Sequence, residues 1–392
     1  NRLATRRWHC GGVDDARIDF TYCLCGTILS ATRYADLAGT QRVGSTTYEY
    51  DDAVRLTDLT HRDGTGAVLV DYEYTYDAAG QLIFESHHGQ TFNYSYDLTG
   101  QLISAERSDL PDEFFEYDAN GNRTASSEHG NAYITGDNNR LLSDGRFNYE
   151  YDDEGNLIRK TDVSGGATDG ELQEYTYDHR NRMVAYTRRS AGGIILTEAT
   201  YTYDALGRRI AKTVDGERLN VVYNDDNAWV DFDGVGATLT RYLFGNRIDE
   251  NLARFRTGEG TTWYLTDRLG TIRVIADAAG AAIDDTGYDA FGMPRSGQHP
   301  SIGRFTFTGR EFDFERGAYH SRTRTYDPII GRFIAEDTLG FEALDTNLYR
   351  YVANSPANGL DPSGRATITL YQIPLIILKG AFAGFVGGAV SG

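Results

Sequence analysis

One short pattern recurs along this chain. An aromatic residue is followed by any residue and then Tyr-Asp, two variable residues, Gly, a polar residue and an aliphatic one. It reads Tyr74-Thr75-Tyr76-Asp77-Ala78-Ala79-Gly80-Gln81-Leu82, then Tyr94-Ser95-Tyr96-Asp97-Leu98-Thr99-Gly100-Gln101-Leu102. Further copies are built on Phe115-Glu116-Tyr117-Asp118, Tyr149-Glu150-Tyr151-Asp152, Tyr175-Thr176-Tyr177-Asp178 and Tyr201-Thr202-Tyr203-Asp204. Tyr48-Glu49-Tyr50-Asp51 opens the series, and a degenerate Thr135-Gly136-Asp137-Asn138-Asn139 fills a gap. Recurrence at 15 to 26 residues marks an array of one small structural unit.

Strand side chains alternate, so Tyr-x-Tyr puts two aromatics on one face. The aspartate that follows ends the strand, because its carboxylate can bond nearby backbone amides and start a turn. Gly then supplies a positive φ, and the aliphatic residue begins the return strand. Each unit is a β-hairpin, too weak alone, so successive hairpins must pair into a continuous sheet. The 27 tyrosines, 44 glycines and only 7 prolines agree with an all-β fold. Turn formation and packing are therefore the expected roles of Asp77, Asp97, Asp118, Asp152, Asp178 and Asp204. Glycan binding by exposed tyrosines is the alternative.

The 57 acidic and 38 basic side chains give a net charge of −19. That field repels nucleic acid and anionic lipid, arguing against both as general partners, and suits solubility or a basic cargo. Cys10, Cys23 and Cys25 are the only cysteines, too few and too clustered for a disulfide framework. Free thiols are the leading reading, with one disulfide, or a zinc site completed by His9, as alternatives. The C-x-C step is tighter than usual zinc spacing, so no metal and no cofactor are expected. The chain opens at Asn1 without a leader pattern and reads as a fragment or processed product.

Five segments follow from the pattern: 1–47 of unclear role, repeats over 48–228, a continuation over 229–309, a core over 310–365 and a tail over 366–392. The tail carries an apolar run, then Gly380, Gly384, Gly388 and Gly392 at four-residue spacing. On a helix these form one stripe that admits a close neighbour. Lys379 near the centre of the segment counted from Leu370, and Pro374 in its apolar run, argue against an uninterrupted span and favour the start of a cargo or translocation segment over a membrane anchor. Membrane contact through 370–392 and a buried apolar tail remain open.

The core holds Gly309-Arg310-Glu311, Arg324-Thr325-Tyr326-Asp327-Pro328, Gly331-Arg332-Phe333, Asn347-Leu348-Tyr349-Arg350-Tyr351, Asn354-Ser355-Pro356 and Asp361-Pro362-Ser363-Gly364. With the repeats, this register resembles the RHS/YD-repeat family, which includes bacterial Rhs proteins, Tc-toxin C components and, more distantly, the teneurins. The likeness spans about residues 48–365. It implies a spiral of β-hairpins forming part of a hollow shell, a cocoon around a C-terminal toxin or effector segment. It also implies an aspartyl autoprotease, with Arg324, Asp337 and Asp361 catalytic and the scissile bond between Arg365 and Ala366. Two departures stand out: Thr338 replaces the family's proline, and Arg365 replaces a large apolar residue. Glu336, beside Asp337, is a candidate stand-in. The implied partners are the chain's own cargo segment, delivery machinery and shell-closing subunits, in a secreted, delivered or cell-surface setting. The rival readings are a teneurin-like adhesion scaffold and a glycan-binding repeat protein, neither self-cleaving.

Overall fold

The computed structural model describes residues 2–9, 14–295 and 302–370. Its frame is two antiparallel meanders in which each strand pairs with its neighbours in the chain. The first has 11 strands, from Thr5–Trp8 to Arg123–Ser126; the second has 15, from Ile134–Thr135 to Ala282–Asp285. A small four-stranded sheet follows, made of Glu311–Asp313, Ala318–Ser321, Arg324–Asp327 and Arg332–Phe333, and a two-stranded ribbon pairs Gly359–Leu360 with Ile368–Thr369. Short 3-10 turns are the only helical elements among the described residues. This is the all-β hairpin array that the repeat pattern predicts. The glycine stripe, 380 to 392, and Cys10 lie outside the described residues.

The turn chemistry is uniform. In the copy at Asp97, the Oδ1 atom accepts from the amides of Thr99 at 2.8 Å and Gln101 at 3.0 Å. The Asp97 amide donates to the Gln101 carbonyl, and Gly100, at φ +86°, donates back to Asp97. Asp118 and Asp204 hold the residues two and four positions on in the same way. The strand register shifts just before each turn, as at Ser95/Tyr96. That bulge aims the second tyrosine at the neighbouring strand: Tyr96, Tyr117 and Tyr203 donate their hydroxyls to the carbonyls of Leu82, Leu102 and Met183. The first tyrosine of a pair lies in the core, with Tyr74, Tyr149 and Tyr201 each 4% exposed. None of the repeat tyrosines is exposed, so the glycan reading loses the exposed rings it needs.

The array starts earlier than the Tyr-Asp signature indicates. Phe20-Thr21-Tyr22-Cys23-Leu24-Cys25-Gly26-Thr27-Ile28 forms the same turn, with Cys23 in the aspartate's place. The Cys23 amide donates to Thr27, Gly26 donates to Cys23, and the Tyr22 hydroxyl reaches the Leu3 carbonyl. Cys23 and Cys25 are joined in a disulfide, which corrects the expectation of free thiols and removes both from any zinc site.

One apolar cluster joins Ile18, Phe20, Leu59 and Tyr72 of the first sheet to Trp263, Leu265 and Val274 of the second, so the start of one meander packs on the end of the other. The small sheet bridges both. Arg123 of the first meander donates to the Ile329 carbonyl, and Arg209 of the second grips Asp313 and Glu311, each at 2.6 Å. Burial alone would raise the Asp313 carboxyl, but Arg209, Lys212 and Arg316 hold it well below the usual carboxylate range. The segment after this sheet is pinned in the same manner. Asn354 donates to the Gly121 carbonyl, Asn358 accepts from the Leu82 amide, and Tyr349 donates to the Gly155 carbonyl.

Candidate active site

Arg324 opens the third strand of the small sheet, its guanidinium 3.6 Å from the centre of the Phe333 ring. Asp337 and Asp361 both head turns of the repeat type, Asp337-Thr338-Leu339-Gly340 and Asp361-Pro362-Ser363-Gly364. Asp337 Oδ1 accepts from the Leu339 amide at 2.9 Å, and Gly340 donates to the Asp337 carbonyl. Asp361 Oδ1 accepts from the Ser363 hydroxyl at 3.1 Å and the Arg365 amide at 3.0 Å. The turn fixes one oxygen of each carboxylate and leaves the other free to point elsewhere.

Here both free oxygens converge on one nitrogen. Arg324 Nη2 lies 2.9 Å from Asp337 Oδ2 and 3.4 Å from Asp361 Oδ2. The three side chains are 3%, 6% and 3% exposed. Nη1 of Arg324 donates to the Leu348 carbonyl at 2.8 Å, and its Nε donates to the carbonyl of Gly364. The guanidinium therefore fixes both carboxylates and the backbone before the expected cut. Burial pushes the Asp337 carboxyl above its ordinary value, and the Asp361 charge adds to this, against Arg324 and the Leu339 amide. Burial likewise lowers Arg324, against the pull of both aspartates.

The bond itself is held at the rim. Asp361 Oδ1 also accepts from the Ala366 amide at 3.1 Å, while Arg365 and Ala366 are exposed. Arg365 thus stands in solvent, without the pocket an apolar residue would need. Thr338 is exposed, and the Asp337 turn forms with it in place. Glu336 is not a stand-in. Its carboxylate faces away from Arg324, toward the Tyr349 hydroxyl at 3.3 Å and Arg140 at 3.7 Å.

Several groups around the site escape sequence reasoning. Thr323 donates its hydroxyl to the carbonyls of Ser363 at 2.8 Å and Gly364 at 3.0 Å. Arg322 donates to the Pro362 carbonyl and pairs with Asp249 at 2.7 Å, which also pairs with Arg310 at 2.8 Å. Threonine and arginine in a turn carry no signal of this, and Asp249 lies far away in the chain.

Residues 83–357 match the teneurin YD-shell family, which is most of the chain. The chain belongs to that family. This YD-shell chain is also 28% identical over 327 residues to the tRNA nuclease WapA of Bacillus subtilis, covering 80% of itself but 12% of that protein. To the toxin protein Tse5 of Pseudomonas aeruginosa it is 32% identical over 121 residues, 31% of the chain and 9% of the relative. It thus spans about a tenth of the length of these relatives. Among solved structures, the Tc holotoxin pore of Photorhabdus luminescens aligns with 89% of this chain and 20% of its own, with a TM-score of 0.64 at 20% identity. The TcdB2-TccC3 crystal structure aligns with 90% of this chain and 21% of its own, with a TM-score of 0.54 at 19% identity. Those likenesses show a shared fold. The family match includes Arg324 and Asp337 and stops short of Asp361.

Proposed function

We propose that this YD-shell chain is part of a toxin shell that cuts its own backbone between Arg365 and Ala366 and retains the released C-terminal segment as cargo. One observation carries the reading: Arg324 joins Asp337 to Asp361, and Asp361 holds the nitrogen of the bond to be broken. The nuclease and toxin named among the relatives support a toxic cargo, and a secreted or delivered setting goes with it.

The chemistry follows from the charge count. One guanidinium between two buried carboxylates leaves one negative charge in excess, and protonating one carboxyl removes it. Asp337, pushed up by burial, is the carboxyl that holds the proton. Protonated Asp337 donates to the Arg365 carbonyl oxygen while Asp361 takes a proton from water. The water oxygen bonds to the carbonyl carbon. Collapse of that adduct breaks the C–N bond, Asp361 passes its proton to the Ala366 nitrogen, and the carbonyl oxygen returns its proton to Asp337. The bond is tethered four residues from Asp361, so high effective concentration replaces substrate binding.

The test is intact mass, under denaturing conditions, of the wild type beside Asp337→Asn and Asp361→Asn. The expected result is a wild-type break between Arg365 and Ala366 that vanishes in both variants. The mass must distinguish this from a break at the acid-labile Asp361-Pro362 bond. An uncut wild type overturns the reading and leaves an uncleaved adhesion scaffold in its place.

A further inference from the structure

The turn at Cys23 carries chemistry that the shell does not need. In the Tyr-Asp copies this position holds a carboxylate, and the turn amides bond to it. Burial alone would raise the carboxyls of Asp97, Asp178 and Asp204, yet turn amides and the side chain four residues on hold them below the ordinary value. In the Cys23 turn, sulfur occupies that place. Its Sγ accepts from the Gly26 amide at 3.1 Å and lies 2.9 Å from the Thr27 hydroxyl, which also lies 3.1 Å from Cys25 Sγ, so the amide is the contact that Cys23 alone receives. Arg2 adds a positive charge beside the turn, donating to the carbonyls of Cys23 at 2.8 Å and Leu24 at 3.1 Å.

The two sulfurs are unequally placed. Cys23 is partly buried against its donors, whereas Cys25 is exposed beside the fully exposed Leu24. The disulfide closes a loop of only three residues, so it removes little entropy from the unfolded chain. The hairpin is already closed by the backbone bonds Cys23 to Thr27 and Gly26 to Cys23. Opening the disulfide therefore leaves the hairpin in place.

We propose that Cys23–Cys25 is a thiol-exchange site, opened by a small thiol at Cys25 with Cys23 as the stabilised leaving thiolate. The incoming thiolate attacks Cys25 Sγ, the S–S bond breaks, and the electron pair leaves on Cys23 Sγ, where the Gly26 amide and the Thr27 hydroxyl receive it. A second small thiolate attacks the mixed disulfide. It releases the oxidised thiol as its own disulfide and leaves Cys25 as a thiolate. Attack at an exposed sulfur with a stabilised leaving group is the favoured geometry for exchange.

The experiment uses the whole chain in a Cys10→Ser background, incubated without denaturant in glutathione buffers, then alkylated and weighed. The expected result is a gain of two alkyl groups at Cys23 and Cys25 with an unchanged near-ultraviolet tyrosine spectrum. Thr27→Val, which keeps the shape and removes the hydroxyl, should slow opening about tenfold, the loss of one hydrogen bond to a charged group. A disulfide that opens only in denaturant overturns the proposal, as does a Thr27→Val variant that opens at the wild-type rate.

Discussion

Asp361 holds the amide of Ala366 at 3.1 Å with the same oxygen that a repeat aspartate uses to cap its own turn. The candidate active site is thus built from the fold's own repeating part. Asp337 and Asp361 each head a turn of the kind found throughout the meanders, and the difference lies in what the second carboxylate oxygen meets. In the repeats it meets a side chain four residues on, as Asp97 meets Gln101. In the core both second oxygens meet Arg324.

Cleavage should slow as pH rises. Asp337 must carry a proton to polarise the carbonyl, and burial raises its pKa, so the active form persists to higher pH than an ordinary carboxyl would allow. Above that pKa the rate should fall about tenfold for each further pH unit. A time course of intact mass between pH 5 and pH 8 measures it, and a rate rising across that range contradicts the assignment.

Thr323 and Arg324 together fix the backbone before the cut. Replacing Arg324 with Lys keeps the charge but gives up the fork that reaches Asp337, Asp361, Leu348 and Gly364 together. Loss of about a hundredfold in rate is expected. Thr323→Val removes two weaker contacts and should cost about tenfold, without moving the pH profile.

Removing Arg209 should destabilise the anchor of the small sheet. Arg209→Met leaves Glu311 and Asp313 buried with fewer cations, a change that costs about 3–5 kcal/mol when a buried pair is broken. The midpoint of urea unfolding reads it. Both carboxyls sit below their ordinary range in the fold, so their stabilisation is present at neutral pH. It should fade as pH drops below about 4, and the variant's deficit should shrink there.

Tyr96→Phe tests why the repeat specifies tyrosine. The ring still packs, but the Leu82 carbonyl loses its donor, for an expected cost of about 1 kcal/mol. Tyr203→Phe, in the other meander, should cost a similar amount, and the two should add because they share no partner. Chemical unfolding of the single and double variants checks both statements.

The hairpins were legible because their determinants are local. Asp97 bonds residues two and four positions on, so the pattern of residue types is itself the contact map of the turn. The copy at Cys23 was hidden only because sulfur stands where the pattern expects a carboxylate. The site was legible in part. Similarity of register pointed to Arg324, Asp337 and Asp361, but spacing alone does not bring three side chains onto one nitrogen.

Residue order along the strands and turns determined the meander, its bulges and its tyrosine seams, since each hydrogen bond there spans a few residues or one adjacent strand. Tertiary structure decided what no spacing records. It chose Asp337 over the adjacent Glu336, because the turn aims one carboxylate at Arg324 while packing gives the other to Tyr349 and Arg140. It also brought Asp249 to Arg310 and Arg322 and laid the core across both sheets. Those contacts join residues 61 to 206 positions apart, as in Asp249 to Arg310 and Arg123 to Ile329. The closure of the whole chain, rather than any local preference, sets which of them meet.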